Sequence, residues 1–331
     1  MDVERKLASV QKVESVAPIA GADRIEQIRV MGWNLVAKKG EFQPGSKCIF
    51  FEIDAKLPDG PAWSEFMRQR KFRVKTVMFR GMLSQGLALS MSIVDQTIDE
   101  MEIGLDVTEM LGVRKYVVPQ TDSAEFIGPM PGMIRRTDEL RIQSVLPLLN
   151  DMLSQPYYIT EKIDGTSCTV TSLNGEVMVC SRRDVVRDGS NVYWAAARRL
   201  GLVDKVPDGF AIQGEVCGPG VQKNCLGIDD YDIRVFDIYD IRAGKYLSWS
   251  DVQRMCAEMS LRTVRELYAG DCFTYTLDGL LELAKGFYEG TKNRREGIVV
   301  RSNAQYSNAD LNLDRISFKV LNNDFLLNDE E

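Results

Sequence analysis

Glu161-Lys162-Ile163-Asp164-Gly165 decides how this chain is read, because it sets a lysine beside a carboxylate and a turn glycine. Upstream, Tyr157-Tyr158-Ile159-Thr160 has the aromatic and β-branched content of a strand, and Gly165-Thr166-Ser167 reads as the turn that ends it. Strand alternation would point Asp164 to the same side as Lys162. A lysine so placed can attack phosphorus, provided its amine is neutral and a cation screens the phosphates. Lys-x-Asp-Gly alone is weak, since ordinary residue usage produces it in a chain of this length with odds on the order of one in ten. A surface lysine before a turn glycine explains it equally well, so the rest of the sequence has to decide.

Composition narrows the chemistry. The 331 residues are 44% hydrophobic and 27% charged, which suits two domains with a core each. No run reaches the roughly 18 apolar residues of a membrane span. Met1-Asp2-Val3-Glu4-Arg5-Lys6 lacks the features of a signal peptide, so a soluble cytoplasmic protein without a membrane partner is expected. Seven cysteines without a Cys-x-x-Cys pair are expected to be reduced thiols, not a zinc site or a disulfide framework. Histidine is absent, which removes Ser-His-Asp triads, His-ligated zinc and imidazole acid–base chemistry. Any catalysis must run on lysine, arginine, carboxylates and bound metal. With no heptad pattern, a monomer is expected.

A formal charge of −7 argues against polyanion binding by the whole surface, but the charge is uneven. Arg68, Arg70, Lys71, Arg73, Lys75 and Arg80 fall in one stretch with Phe72, Phe79 and no acidic residue. Basic and aromatic residues interleaved in this way suit a nucleic-acid strand, while an edge strand protected by cations is the plainer explanation.

Residues 1–118 read as short strands at 8–17, 24–30, 33–38, 47–52 and 71–79, separated by turns at Met31-Gly32, Pro44-Gly45 and Gly60-Pro61. About five strands in about a hundred residues fit a small β-barrel of the OB type, with Trp33 in its core. Gly40 to Lys47 resembles a P-loop only superficially, because serine and lysine are in reversed order and no helix follows. The breaker-rich residues 119–133 read as a linker. In residues 134–331, Thr137 to Arg141 is expected to open a helix, with further helices over 191–200, after a Ser250 cap, and near 277–286, among antiparallel strands. The expected fold class is therefore α+β.

Five later segments carry compatible chemistry. They are Ser181-Arg182-Arg183, Gln213-Gly214-Glu215, Phe236-Asp237-Ile238, Glu296-Gly297-Ile298-Val299 and Ser317-Phe318-Lys319. Each alone is an ordinary strand end or strand interior, although a glutamate or lysine among apolar residues costs stability unless it is partnered. In this order, after Lys-x-Asp-Gly, they resemble the motif series of the covalent nucleotidyltransferases, the superfamily of ATP-dependent DNA and RNA ligases and mRNA capping enzymes. The chain is most similar to the RNA ligases, in particular the nick-sealing type with an N-terminal OB domain before the catalytic one. Residues 19–33 and Leu83-Ser84-Gln85-Gly86-Leu87 carry the likeness in the first domain.

That resemblance implies an N-terminal OB-type β-barrel followed by an adenylyltransferase domain of antiparallel sheets flanked by helices. It implies that ATP adenylylates Lys162, and that Asp164, Glu215 and Glu296 order the water shell of Mg2+ or Mn2+. It further implies that Arg182 and Glu215 contact the ribose, Phe236 stacks on adenine, and the Glu161 backbone reads the adenine edge. Lys319 would neutralise the α-phosphate, and Arg141 would touch the leaving pyrophosphate. The implied partner is RNA with 3′-OH and 5′-phosphate ends, at nicks in a duplex. Leu321 stands where many RNA ligases have a second lysine, and Ser167 where several have asparagine. A GTP-dependent capping-type guanylyltransferase and a non-catalytic RNA-binding protein are the alternative readings.

Overall fold

The computed structural model describes residues 6–94, 101–116, 125–304, 306–308 and 313–328. The chain divides into two compact units, Met1–Gln120 with Leu326–Glu331, and Thr121–Phe325.

In the first unit, Ala8–Lys12, Lys47–Phe51 and Leu87–Leu89 form one antiparallel sheet, and Ser15–Pro18, Ile25–Val30 and Trp33–Lys38 form a meander. Thr76–Phe79 pairs with Met82–Gln85, and Ala55–Lys56 with Arg114–Lys115. The Lys47–Phe51 strand is buried on both faces. Ile49 and Phe51 join one core with Val10, Leu57 and Val107, while Cys48 and Phe50 join a second with Ile28, Trp33 and Leu35. Trp33 is therefore core, as expected. The hairpins at Met31-Gly32 and Arg80-Gly81 hold both turn residues at positive φ, the twist that two-residue hairpins need.

Sequence reasoning misplaced several boundaries here. The run over residues 8–17 is two strands separated by a break. The expected strand over 71–79 begins only at Thr76, because Glu65–Arg70 is a 3-10 helix and Lys71 and Phe72 both take left-handed backbone, at φ 51° and 60°.

The second unit holds an eight-stranded sheet and a four-stranded sheet. The first is ordered Phe126–Pro129, Asp184–Val186, Glu176–Cys180, Thr166–Leu173, Phe210–Cys217, Asp232–Asp240, Lys245–Tyr246, with Arg262–Thr263 also on Asp232–Asp240. The second runs Glu266–Gly270, Tyr157–Lys162, Gly297–Ser302, Ser317–Leu321. Pairing is antiparallel throughout the described strands except for the short contact made by Arg262–Thr263. Helices Val192–Arg199 and Trp249–Glu258 bury Ala196, Ala197, Trp249 and Val252 against the larger sheet, and Leu277–Ala284 covers one face of the smaller. Each has a side-chain cap, from Asn191, Ser248 and Thr276, that accepts an N–H of the first turn. None of the described helices is long and apolar enough to cross a membrane.

Three expectations are corrected in this unit. The linker expected over residues 119–133 is in part sheet, since Phe126–Pro129 is an edge strand of the larger sheet and Met130 is buried; residues 119–124 lie outside the described residues. Thr137 to Leu140 is not helical, and a 3-10 turn starts only at Ile142. The side chain of Glu139 is instead taken by Arg301 and Ser317, which outweighs the local preference for a helix start. The cap of the Trp249–Glu258 helix is Ser248, not Ser250.

Candidate active site

The smaller sheet presents one face to a cavity. Lys162 lies opposite Gly297, Thr160 opposite Val299, and Val299 opposite Lys319. Directly paired residues share a face, so Lys162, Thr160, Val299 and Lys319 stand together, and alternation puts Tyr157 and Ile159 on the other side in their own core. The Glu161 side chain also turns away from Lys162, to within 3.9 Å of Arg295. Gly165 lets the chain cross from the smaller sheet to the larger one close against its neighbour, since a Cβ there would meet the Val216 carbonyl oxygen at 2.2 Å.

The larger sheet supplies the opposite wall. Ser167 pairs with Glu215, which places Glu215 beside the segment that leads out of Lys162 into the larger sheet. A register shift between Gln213 and Gly214 leaves Phe236 as the extra residue on its strand, and such a bulge re-aims a side chain. The cavity, about 570 Å³ with its open mouth, is lined by Glu161, Lys162, Arg182, Glu215, Phe236 and Lys319 among the residues read from sequence. Asp164, Glu296 and Arg141 do not line it.

Lys162 Nζ donates to Glu296 Oε2 at 2.7 Å. Burial pulls the Lys162 amine down, but Glu296, Glu215 and the hydrogen bond together outweigh it and hold the amine above its usual range. Glu215 is pushed up to about 7, chiefly by burial, with the charges of Glu296 and Asp164 adding and that of Lys162 opposing. Lys319 is pushed down to about 8, first by burial and then by the neighbouring charge of Lys162. Arg141 is buried and its backbone bridges Lys319. The strand ends at Lys162, so alternation does not extend to Asp164; Glu296, not Asp164, is the carboxylate that holds the lysine.

Several site residues escaped sequence reasoning. The Tyr288 hydroxyl donates to the Lys162 carbonyl at 2.9 Å and accepts the N–H groups of Asp164 and Glu296 at 3.0 and 3.1 Å. Arg301, only 2% exposed, lines the cavity with Glu139 and pairs with it at 3.0 Å. Asp237, next to Phe236, is gripped by both ends of the Arg315 guanidinium, which lies over the Tyr246 ring at 3.8 Å. An aspartate inside one apolar strand and an arginine near the end of another were the available signals, at Phe236-Asp237-Ile238 and at Val299-Val300-Arg301.

The basic stretch of the first unit is divided among several partners. Glu65 and Asp59 bind Arg68 at 2.6 and 2.9 Å, Asp54 binds Arg73 at 3.0 Å, and Arg80 donates to the Gly21 carbonyl at 2.8 Å. Arg70 lies over Phe79. Four of the six cations thus have partners within the first unit.

The acidic groups suit a hard divalent cation. Glu296 and Asp164 lie close enough for their charges to raise Glu215, and a cation would relieve the burial of Glu215 near neutral pH. Among the described residues no three His, Cys, Asp or Glu side chains converge as direct ligands.

Comparison with known proteins agrees with this geometry. The RNA ligase family model matches residues 155–321, and an OB-fold domain model matches residues 7–91. No curated protein matches. The solved structure of Naegleria gruberi RNA ligase with PPi is similar over 98% of both chains, at 31% identity and a TM-score of 0.86. A lysine-to-methionine mutant of that ligase with AMP and Mn matches over 97% of this chain and 98% of its own, at 31% identity and a TM-score of 0.86. A glutamate-to-alanine mutant with ATP and Mn matches over the same shares at 30% identity and a TM-score of 0.86.

Proposed function

The chain belongs to the RNA ligase family, and from that premise we propose that it uses ATP to join RNA 3′-OH and 5′-phosphate ends at nicks in a duplex. The observation that carries the reading is Lys162 in a cavity with Lys319 on the next strand but one and Glu296 at 2.7 Å. Lys162 Nζ attacks the α-phosphorus of ATP; the N–P bond forms, the P–O bond to pyrophosphate breaks, and the ammonium proton is lost. The 5′-phosphate oxygen of RNA then takes the AMP and the N–P bond breaks. Last, the 3′-OH attacks that activated phosphorus, the strand is sealed, and AMP leaves.

The residues divide the work. The amine reacts only when neutral, and in the free protein Glu296 and Glu215 oppose that. A divalent cation, Mg2+ or Mn2+, held through water by Asp164, Glu215 and Glu296, would offset those carboxylates and screen the phosphates. Lys319 stabilises charge on the α-phosphate oxygens. Phe236 stacks on the adenine, Arg182 and Glu215 bind the ribose, the Glu161 backbone meets the adenine edge, and Arg141 supports the pyrophosphate end. The presence of ATP and Mn with a glutamate-to-alanine mutant of the Naegleria ligase supports the nucleotide and metal assignment for this chain.

The test is incubation with α-labelled ATP and Mg2+ or Mn2+, then denaturing electrophoresis beside Lys162→Ala, followed by sealing assays on nicked RNA duplexes. Label on the wild type alone, with joining of 3′-OH to 5′-phosphate ends, is expected. Equal labelling of Lys162→Ala would overturn the nucleophile, and labelling by GTP in place of ATP would favour capping chemistry.

A further inference from the structure

Away from the cavity, the first unit carries a cation arrangement that sequence proximity does not disclose. Arg114 lies opposite Lys56 on antiparallel strands, and on the other side Lys56 faces Arg73 in an antiparallel bridge. Directly opposed residues on neighbouring strands point to one face, so Arg114, Lys56 and Arg73 form a single cross-strand row. Main-chain bonds lock the register on both sides. The Leu57 N–H donates to Phe72 O at 2.9 Å, Val74 N–H to Ala55 O at 2.8 Å, and Tyr116 N–H to Asp54 O at 2.7 Å. The first two bonds flank Lys56 and Arg73 without joining them, which is the closer kind of antiparallel pair, with Cα atoms about 4.5 Å apart. Ala55, Val74 and Val113 are buried, so alternation turns the row outward; Lys56 and Arg114 are exposed and Arg73 is partly so.

Like charges directly opposed across a sheet repel. Among the described residues the row has one carboxylate partner, Asp54, on Arg73 at 3.0 Å. Lys56 and Arg114 make no ion pair among the described residues. Protection of a sheet edge does not explain Lys56, because its strand has a neighbour on each side. The Arg73 guanidinium is held 4.0 Å from the centroid of the Tyr116 ring, so one end of the row is fixed before any partner arrives. At a strand spacing of about 4.8 Å, three cations span roughly 10 Å. A nucleic-acid strand offers about three phosphates over that distance.

We infer that the Arg114–Lys56–Arg73 row binds the phosphodiester backbone of RNA, deepening the RNA-joining reading on which it rests. The row holds the polyanion by charge and leaves the bases unread, which suits an enzyme joining ends of varied sequence.

The experiment uses the full chain carrying Lys56→Gln and Arg114→Gln together, with binding of a fluorescent nicked RNA duplex measured across a salt series. Affinity should fall about tenfold or more, and the slope of log K against log salt should shrink by about 2. Labelling of Lys162 by ATP should be unchanged, and the charge-conserving pair Lys56→Arg with Arg114→Lys should bind as the wild type does. Unaltered affinity and salt slope in the double glutamine variant would overturn the inference, as would an equal loss in the charge-conserving pair. A wild type that takes the label on Lys162 yet binds no RNA overturns the row alone. One that binds RNA through the row but takes no label supports the row and strikes the reaction instead.

Discussion

At the residue scale, the cavity places two lysines where at most one is comfortable. Lys162 keeps its proton because Glu296 and Glu215 answer it, whereas Lys319, beside that charge and buried, is pushed down to about 8. The sign for stability follows. Between pH 8 and 10.5 the unfolded chain holds more proton at Lys319 than the folded one, so this residue's contribution improves as pH rises across that window. Below it the full cost, about 3 kcal/mol, is in place. Lys319→Met should therefore unfold at higher denaturant than the wild type near about pH 7, with the gap closing toward about pH 10. A gap equally wide at both pH values would assign the effect to packing. The two lysines were legible because a charge inside an apolar strand is costly without a purpose. Asp237 and Arg315 were not, because the pair is formed across 78 residues of sequence and neither member betrays the other.

At the scale of elements, the site depends on how three segments meet. The Tyr157–Lys162 strand, the turn at Asp164 and the start of Gly297–Ser302 are joined by the Tyr288 hydroxyl, which is 1% exposed and does not line the cavity. Tyr288→Phe would leave two buried N–H groups and one carbonyl without that partner, at about 1–3 kcal/mol for each group unsatisfied. A stability loss of about 3 kcal/mol in urea melts is expected, with adenylylation losing kcat more than KM, because the tie positions Lys162 and Glu296 without touching the nucleotide. A loss confined to KM would instead put Tyr288 against ATP. Strands were the elements best read from sequence, since Trp33–Lys38 and Lys47–Phe51 carry their own alternation or apolar run and their own turns. The start of the expected strand over 71–79 was missed because it follows a 3-10 helix, which has no long period to detect, through the left-handed pair Lys71 and Phe72. The start of the expected Thr137 helix failed for another reason, since Glu139 is held by partners 162 and 178 residues away.

At the scale of the whole molecule, the question is how well a chain without histidine shields its remaining nucleophiles. Six of its seven cysteines are buried and only Cys272 is exposed. Burial pushes the Cys48, Cys180 and Cys225 thiols up to about 12, and those of Cys217 and Cys256 up to about 11, so thiolate is scarce wherever access is also poor. Cys225 matters most to the site, because its Sγ donates to the Asp164 carbonyl at 3.1 Å and any opening of the larger sheet there would release it. Composition indicated reduced thiols, but which of the seven is open depends on layering in both units and was not legible from spacing. A neutral-pH thiol reagent should consume one equivalent from the native protein, at Cys272, and seven after denaturation, with the sites read by peptide mass. Fast modification of Cys225 as well would show that the turn carrying Asp164 opens in solution, and ATP with Mg2+ should then slow that second reaction by closing the cavity around Lys162. A second fast thiol at Cys48 would instead locate the opening in the first unit, whose Lys47–Phe51 strand is buried on both faces and should be among the last to yield.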